Sequence, residues 1–219
     1  MKSRFKPSDI LIGIIFTLFL ISLGVWLAVH FRLLYYFDVD HLNIPENSGY
    51  SREVILENYN ALIDYCSPFY SKSLHFPTLP ASESGIGHFA EVKVIFNVFF
   101  YMGILCLLLL VPVIIYKHRR KDISYLKVSA LTSVILPAAA GGACAVNFDK
   151  AFVVFHKIFF RNDYWLFDPA ADPVILILPE TYFLHCAFLI IGTVIAGSLI
   201  LYLVYRLILK NRPPVQKKG

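Results

Sequence analysis

Charge is scarce in this chain. Of its 219 residues only 16% are Asp, Glu, Lys or Arg, while 58% are hydrophobic, and a soluble domain carries roughly 25% charge. That shortage excludes an ordinary soluble domain of this length. Cysteine is scarce too: Cys66, Cys106, Cys144 and Cys186 have no metal or redox spacing. A four-helix disulfide oxidase, which needs cysteine pairs in its outer loops, is excluded on the same ground. The chain has no G-x-S-x-G elbow, no H-E-x-x-H helix and no glycine-rich phosphate loop, so a covalent serine mechanism lacks its usual signature. Internal repeats and low-complexity tracts are missing as well.

Uninterrupted apolar sequence is abundant. Residues 10–29 contain no charge, and about twenty such residues cross a hydrocarbon core of roughly 30 Å. Comparable runs occupy 94–116, 128–146 and 183–205. The expected fold is an all-α integral membrane protein with four transmembrane helices, forming one domain over residues 1–219. Pro137 and Gly141-Gly142 lie in the third run, where a kink or break is expected. The first run exceeds a signal-peptide core, and no small-x-small cleavage site follows it, so a retained helix is expected.

Thirteen of the twenty basic residues fall on one side of these runs. Lys2, Arg4 and Lys6 precede the first; Lys117, Arg119, Arg120, Lys121 and Lys127 separate the second and third; Arg206, Lys210, Arg212, Lys217 and Lys218 follow the fourth. Only Asp9 and Asp122 accompany them. By the positive-inside rule both termini are cytoplasmic, and residues 30–93 and 147–182 form two extracytoplasmic loops. Membrane topology thus accounts for the net charge of +5, and no nucleic-acid partner is needed.

The loops are too long for plain connectors. Residues 51–65 have helical spacing, with Ser51 and Glu53 suited to the start of a helix. Gly85-Ile86-Gly87 reads as a flexible approach to His88. Asn147-Phe148-Asp149 is a helix cap, and the apolar stretch 151–160 is too short to span, so a short interfacial helix is expected there. Pro179-Glu180 suits the first turn of the last helix.

Two of the seven histidines have company suited to proton transfer. His88 precedes the second span, with Glu91 three residues on and on the same helical face, placed to orient an imidazole. His156 lies among Phe155, Phe159 and Phe160, near Lys157, Asn162 and Asp163. Lys157 and Arg161, four apart, suit lipid phosphates or a substrate head group. His30, His41 and His75 read as surface or packing residues, and His118 as part of the inner basic turn. His185 enters the last span, where a polar residue is costly. What remains is histidine acid-base or histidine-nucleophile chemistry at a lipid–water boundary.

The segment His88-Phe89-Ala90-Glu91-Val92-Lys93, together with H-x-I-F-F-x-N-D-x-W-L-F-D-P and D-P…L-P-E from His156 to Glu180, resembles the lipoprotein intramolecular transacylase family, Lit, of Gram-positive bacteria. The likeness runs over most of the chain. It implies a plasma-membrane acyltransferase that moves the sn-2 acyl chain of an S-diacylglyceryl cysteine onto that cysteine's α-amino group, leaving an N-acyl, S-monoacylglyceryl (lyso) form. Diacylglyceryl-modified lipoproteins and membrane lipids are then its partners. On this resemblance His88 and His156 are catalytic and Glu91 orients. Lys93, Asn162, Asp163 and Trp165 contact substrate or shape the loop. Acid-base transfer and a transient acyl-imidazole both remain open. Amine and ester on one molecule need neither a cofactor nor a second substrate.

Two other readings compete. A non-enzymatic membrane sensor or binding protein explains the topology and aromatic loops, but not two histidine motifs on one face. A metal-dependent lipid hydrolase would use His88, His156 and acids as ligands.

Overall fold

The computed structural model describes residues 6–211, less the side chains of residues 136, 140 and 143–145. Lys2, Arg4, Arg212, Lys217 and Lys218 lie outside the described residues, as does the Cys144 side chain. Among the described residues every regular element is a helix: α1 (Pro7–His30), α2 (Arg32–His41), α3 (Ile44–Ser48), α4 (Arg52–Cys66), α5 (Glu83–Arg119), α6 (Ser124–Val146), α7 (Phe148–Phe159), α8 (Val174–Ile177) and α9 (Glu180–Lys210).

Three of them, α1, α5 and α9, are long and apolar enough to cross a membrane. The third expected span falls in α6, whose 23 residues continue through Pro137 instead of breaking there. At a 1.5 Å rise, the 37 residues of α5 extend about 55 Å, well beyond a hydrocarbon core of roughly 30 Å. The apolar stretch 94–116 is by itself long enough to cross, and His88 precedes it in the helix. Leu105 and Leu108 on α5, and Leu199, Ile200 and Leu203 on α9, are exposed. Lipid tails cover such surface at no cost; water does not.

The chain divides into two compact units. One comprises Met1–Gly24, Tyr101–Gly141 and Ile190–Gly219. Its helices approach closely at small residues: Gly13 of α1 lies against Ser129 and Thr132 of α6, and Gly197 of α9 against Leu20 of α1, where a Cβ would collide. Polar bonds join the same helices. Thr17 and Ser133 hydroxyls are 3.1 Å apart, and Ser198 Oγ donates to the Ala130 carbonyl at 2.6 Å. Asp9, fully buried, is matched by Lys117, whose Nζ lies 2.8 Å from Asp9 Oδ1 and 3.1 Å from Asp122 Oδ2. Lys6 adds a bond of 2.6 Å to Asp122. Burial opposes ionisation of Asp122, but bonds from Lys6, Ser124 and Lys117 outweigh it and hold this carboxyl below the usual carboxylate range.

The other unit comprises Val25–Phe100 and Gly142–Leu189. α4 matches the expected 51–65 helix to within one residue, with Ser51 Oγ accepting from Val54 N at 3.4 Å. α2, α3 and α8 were not anticipated. The core stacks Tyr35 on Tyr59 with ring centroids 3.6 Å apart. Tyr35 donates its hydroxyl hydrogen to the Ile177 carbonyl at 2.6 Å, and the Tyr59 and Tyr182 hydroxyls meet at 3.0 Å. Buried Asn58 takes the backbone N–H groups of Thr78 and Leu79 at 3.3 and 3.2 Å, tying the irregular segment after α4 to the core.

Gly85-Ile86-Gly87 is not a flexible approach. It belongs to the start of α5. Asp172 accepts from Ser82 N at 2.8 Å and Ser82 Oγ at 2.7 Å, and Ser82 Oγ in turn accepts from Gly85 N at 3.0 Å. Any side chain at Gly85 would strike the Asp172 carboxylate. Glycine stands there for close approach, and Asp172, distant in sequence, holds this helix start.

The buried Asp9–Lys117 pair yields a stability prediction. Lys117→Met strands a buried carboxylate and is expected to cost about 3–5 kcal/mol, whereas the double variant Asp9→Leu/Lys117→Met recovers most of that loss. Chemical unfolding of the detergent-solubilised variants measures both; an equal loss in the double variant contradicts the assignment.

Candidate active site

α5 and α7 each present one buried imidazole to the same aromatic enclosure. His88 is 5% exposed and His156 is 7% exposed, and their ring centroids lie 5.9 Å apart with planes inclined 30°. Phe160 touches both rings, at 4.7 Å from His88 and 5.4 Å from His156. Phe167 meets His88 edge-on at 5.4 Å. Phe152 and Trp165 cover His156 at 4.2 and 4.8 Å.

Local structure sets the His156 tautomer. α7 starts at Asn147, whose Oδ1 accepts from Lys150 N at 2.8 Å, as the sequence led us to expect. One turn above His156, the Phe152 carbonyl lies 2.8 Å from His156 Nδ1. A carbonyl only accepts, so Nδ1 carries the proton and Nε2 keeps its lone pair in the neutral ring. His88 differs: its Nδ1 is buried with no hydrogen-bond partner among the described residues.

Burial penalises the charged form of both rings. It pushes His88 down to about 4, with the neighbouring His156 adding to the effect. It also lowers His156, against a smaller opposing contribution from the Phe152 carbonyl. Both imidazoles are therefore neutral at neutral pH.

Glu91 is not bonded to His88, contrary to the orienting role expected of it. Its Oε1 accepts from Asn162 Nδ2 at 2.8 Å, and its Oε2 is buried without a partner among the described residues. Asn162 is itself locked: its Oδ1 accepts from Tyr164 N and its carbonyl from Trp165 Nε1, each at 3.1 Å. The structure thus gathers His88, His156, Glu91, Asn162 and Trp165 into one connected cluster. Lys93 is engaged elsewhere, donating to the Tyr70 carbonyl at 2.7 Å and lying 4.3 Å from the Tyr65 ring centroid. Asp163 is exposed, and its backbone carbonyl accepts from Leu166 N at 3.0 Å. His185 pairs with buried Asp38 at 2.9 Å. Among the described residues no three His, Cys, Asp or Glu side chains converge to hold a metal ion.

The model of the lipoprotein intramolecular transacylase Lit family matches residues 10–183. The chain belongs to the Lit family. It is similar to the solved structure of the membrane-integral lipoprotein intramolecular transacylase Lit from Bacillus cereus, with 38% identity, 93% of this chain and 96% of that one covered, and a TM-score of 0.88. Two variants of the Bacillus cereus protein, with a histidine replaced by arginine or by alanine, align over 93% of this chain, and over 92% and 94% of theirs, with TM-scores of 0.83. Among curated proteins none matches. As a member of the Lit family, the chain is a membrane-integral protein.

The sequence reading set Phe160 beside His156 but not beside His88, and it gave no role to Phe167 or to the anchor Asp172. Phe160 sits inside the family motif, yet no spacing rule distinguishes a wall of an enclosure from an interfacial aromatic.

The depressed proton affinity of His88 fixes the sign of a pH effect on stability. As pH falls, the unfolded chain takes up this proton near 6.5, while the folded protein resists until about 4. The unfolded state is favoured across that window, so the unfolding midpoint falls as pH drops from about 6.5 towards 4. His88→Phe keeps the ring and removes the proton site, and is expected to flatten this slope in thermal unfolding. Equal slopes in the two proteins contradict the burial argument.

Proposed function

We propose that the protein moves the sn-2 acyl chain of an S-diacylglyceryl cysteine to that residue's α-amino group, giving an N-acyl, S-monoacylglyceryl lipoprotein. The observation that carries this reading is the pair of buried imidazoles, 5.9 Å apart, enclosed by aromatic rings. Membership in a family named for intramolecular transacylation supports it.

In this reading α6 is a fourth span and the whole chain forms one membrane domain. Both termini are cytoplasmic, and the site faces the outer leaflet of the plasma membrane, where mature lipoprotein N-termini lie. The exposed apolar face of α7, with Val154, Phe155, Ile158 and Phe159, rests in the bilayer interface.

The chemistry divides between the two rings. The neutral amine attacks the ester carbonyl, forming the C–N bond and an oxyanion. His156 Nε2, free to accept, takes the proton from the attacking nitrogen. The same imidazolium then delivers that proton to the sn-2 glycerol oxygen as its bond to the acyl carbon breaks. His88, held neutral by burial, acts as a hydrogen-bond donor to the developing oxyanion, not as an acid. The aromatic walls exclude water, so the ester is transferred and not hydrolysed.

The test uses purified protein, a synthetic diacylglyceryl lipopeptide and mass spectrometry. The expected product has unchanged mass, with fragment ions placing one acyl chain on nitrogen. His156→Ala and His88→Ala are each expected to slow its formation by about 10²–10⁴-fold while the variants still fold. Wild-type rates in both variants overturn the assignment.

A further inference from the structure

Among the described residues Glu91 has no counter-charge. Its side chain lies on α5 one turn from His88, in the cluster that leads through Asn162 and Trp165 to His156. Asn162 Nδ2 satisfies Oε1 at 2.8 Å. The amide cannot turn over to offer anything else, because its Oδ1 is committed to Tyr164 N. The other oxygen, Oε2, is buried with no hydrogen-bond partner among the described residues. Among the described residues no basic side chain compensates. Lys93 is two residues along the helix, hence on another face, and is spent on the Tyr70 carbonyl and the Tyr65 ring. Lys157 and Arg161 are exposed, and no ion pair among the described residues includes Glu91. A buried carboxylate oxygen with neither donor nor cation is costly for the free protein. A ligand that brings both a positive charge and N–H donors relieves that cost.

We propose that Glu91 Oε2 receives the α-ammonium group of the substrate's N-terminal cysteine. The inference rests on the transacylase reading above and adds how the substrate is selected. Around the reacting centre, the thioether, the glyceryl esters and the acyl chains are all uncharged. The ammonium is the one cationic donor that every substrate must carry there. An ion pair with Glu91 places that nitrogen in the cluster with His156 and excludes lipopeptides whose amine is already acylated, including the product itself. The proton balance is simple. The bound ammonium releases one proton to solvent before the attack, leaving the neutral amine, and a second ends on the glycerol oxygen by way of His156 as C–N forms and C–O breaks. Glu91 binds and positions; it neither gives nor takes a proton in the transfer.

The experiment uses two unreactive ligands with the full-length protein in detergent. Each is a diacylglyceryl-cysteine peptide with an ether in place of the sn-2 ester, one with a free N-terminus and one N-acetylated. Wild-type protein is expected to bind the free amine about 10–100-fold more tightly, the range for a hydrogen bond between charged groups. Glu91→Gln keeps the shape and the bond from Asn162 but loses the charge. It is expected to weaken only the free-amine ligand and to leave the N-acetylated one unchanged. Equal binding of both ligands by wild-type protein overturns the inference, and so does a Glu91→Gln variant that keeps the preference. Equal weakening of both ligands assigns Glu91 a structural role instead. The wild-type comparison alone decides the matter should Glu91→Gln fail to fold. Conversion of the ester lipopeptide by wild-type protein, run in parallel, separates failure of this inference from failure of the transacylase reading.

Discussion

Everything at the site depends on two imidazoles stripped of water. An exposed histidine is partly charged near neutrality and bonds to whatever solvent offers. His88 and His156 are nearly sealed, with phenylalanine and tryptophan rings against their faces and edges. Desolvation makes their charged forms expensive, so each enters a reaction as a neutral ring with one donor and one acceptor. In such surroundings a single hydrogen bond, like that from His156 Nδ1 to Phe152 O, decides which nitrogen is free.

Holding two such rings in register requires rigid supports, and the supports are polar. α5 starts where Asp172 grips Ser82 and where Gly85 leaves room for that carboxylate. The loop after α7 is pinned at Asn162, which binds Glu91 on one side and the Trp165 indole on the other. Gly87 brings the α5 backbone against the Tyr164 ring. These contacts join residues far apart in sequence, so the enclosure exists only when the unit is folded. A single carboxylate oxygen of Glu91 is left over, and the inferred ammonium site uses it.

Some of this architecture was legible in the sequence, and the division follows physical range. A run of twenty apolar residues is a one-dimensional signal, and α1, α5 and α9 each carry one. The caps at Ser51 and Asn147 are equally local. Reading failed where a distant partner overrode a local rule. Gly85-Ile86-Gly87 looks flexible by composition, yet Asp172 from another segment holds it as helix. Glu91 was assigned to His88 on helical spacing, yet Asn162, 71 positions away, takes it. The aromatic walls could not be singled out, because a ring beside an imidazole and a ring facing lipid have the same one-letter code.

The most direct test of two imidazoles serving one enclosed substrate is a crossover experiment. Two diacylglyceryl lipopeptides of different peptide sequence, one carrying deuterated acyl chains, are mixed with the purified protein and the products sequenced by mass spectrometry. The account predicts that every N-linked chain matches the label of its own parent peptide. Products in which a deuterated chain sits on the unlabelled peptide would contradict it.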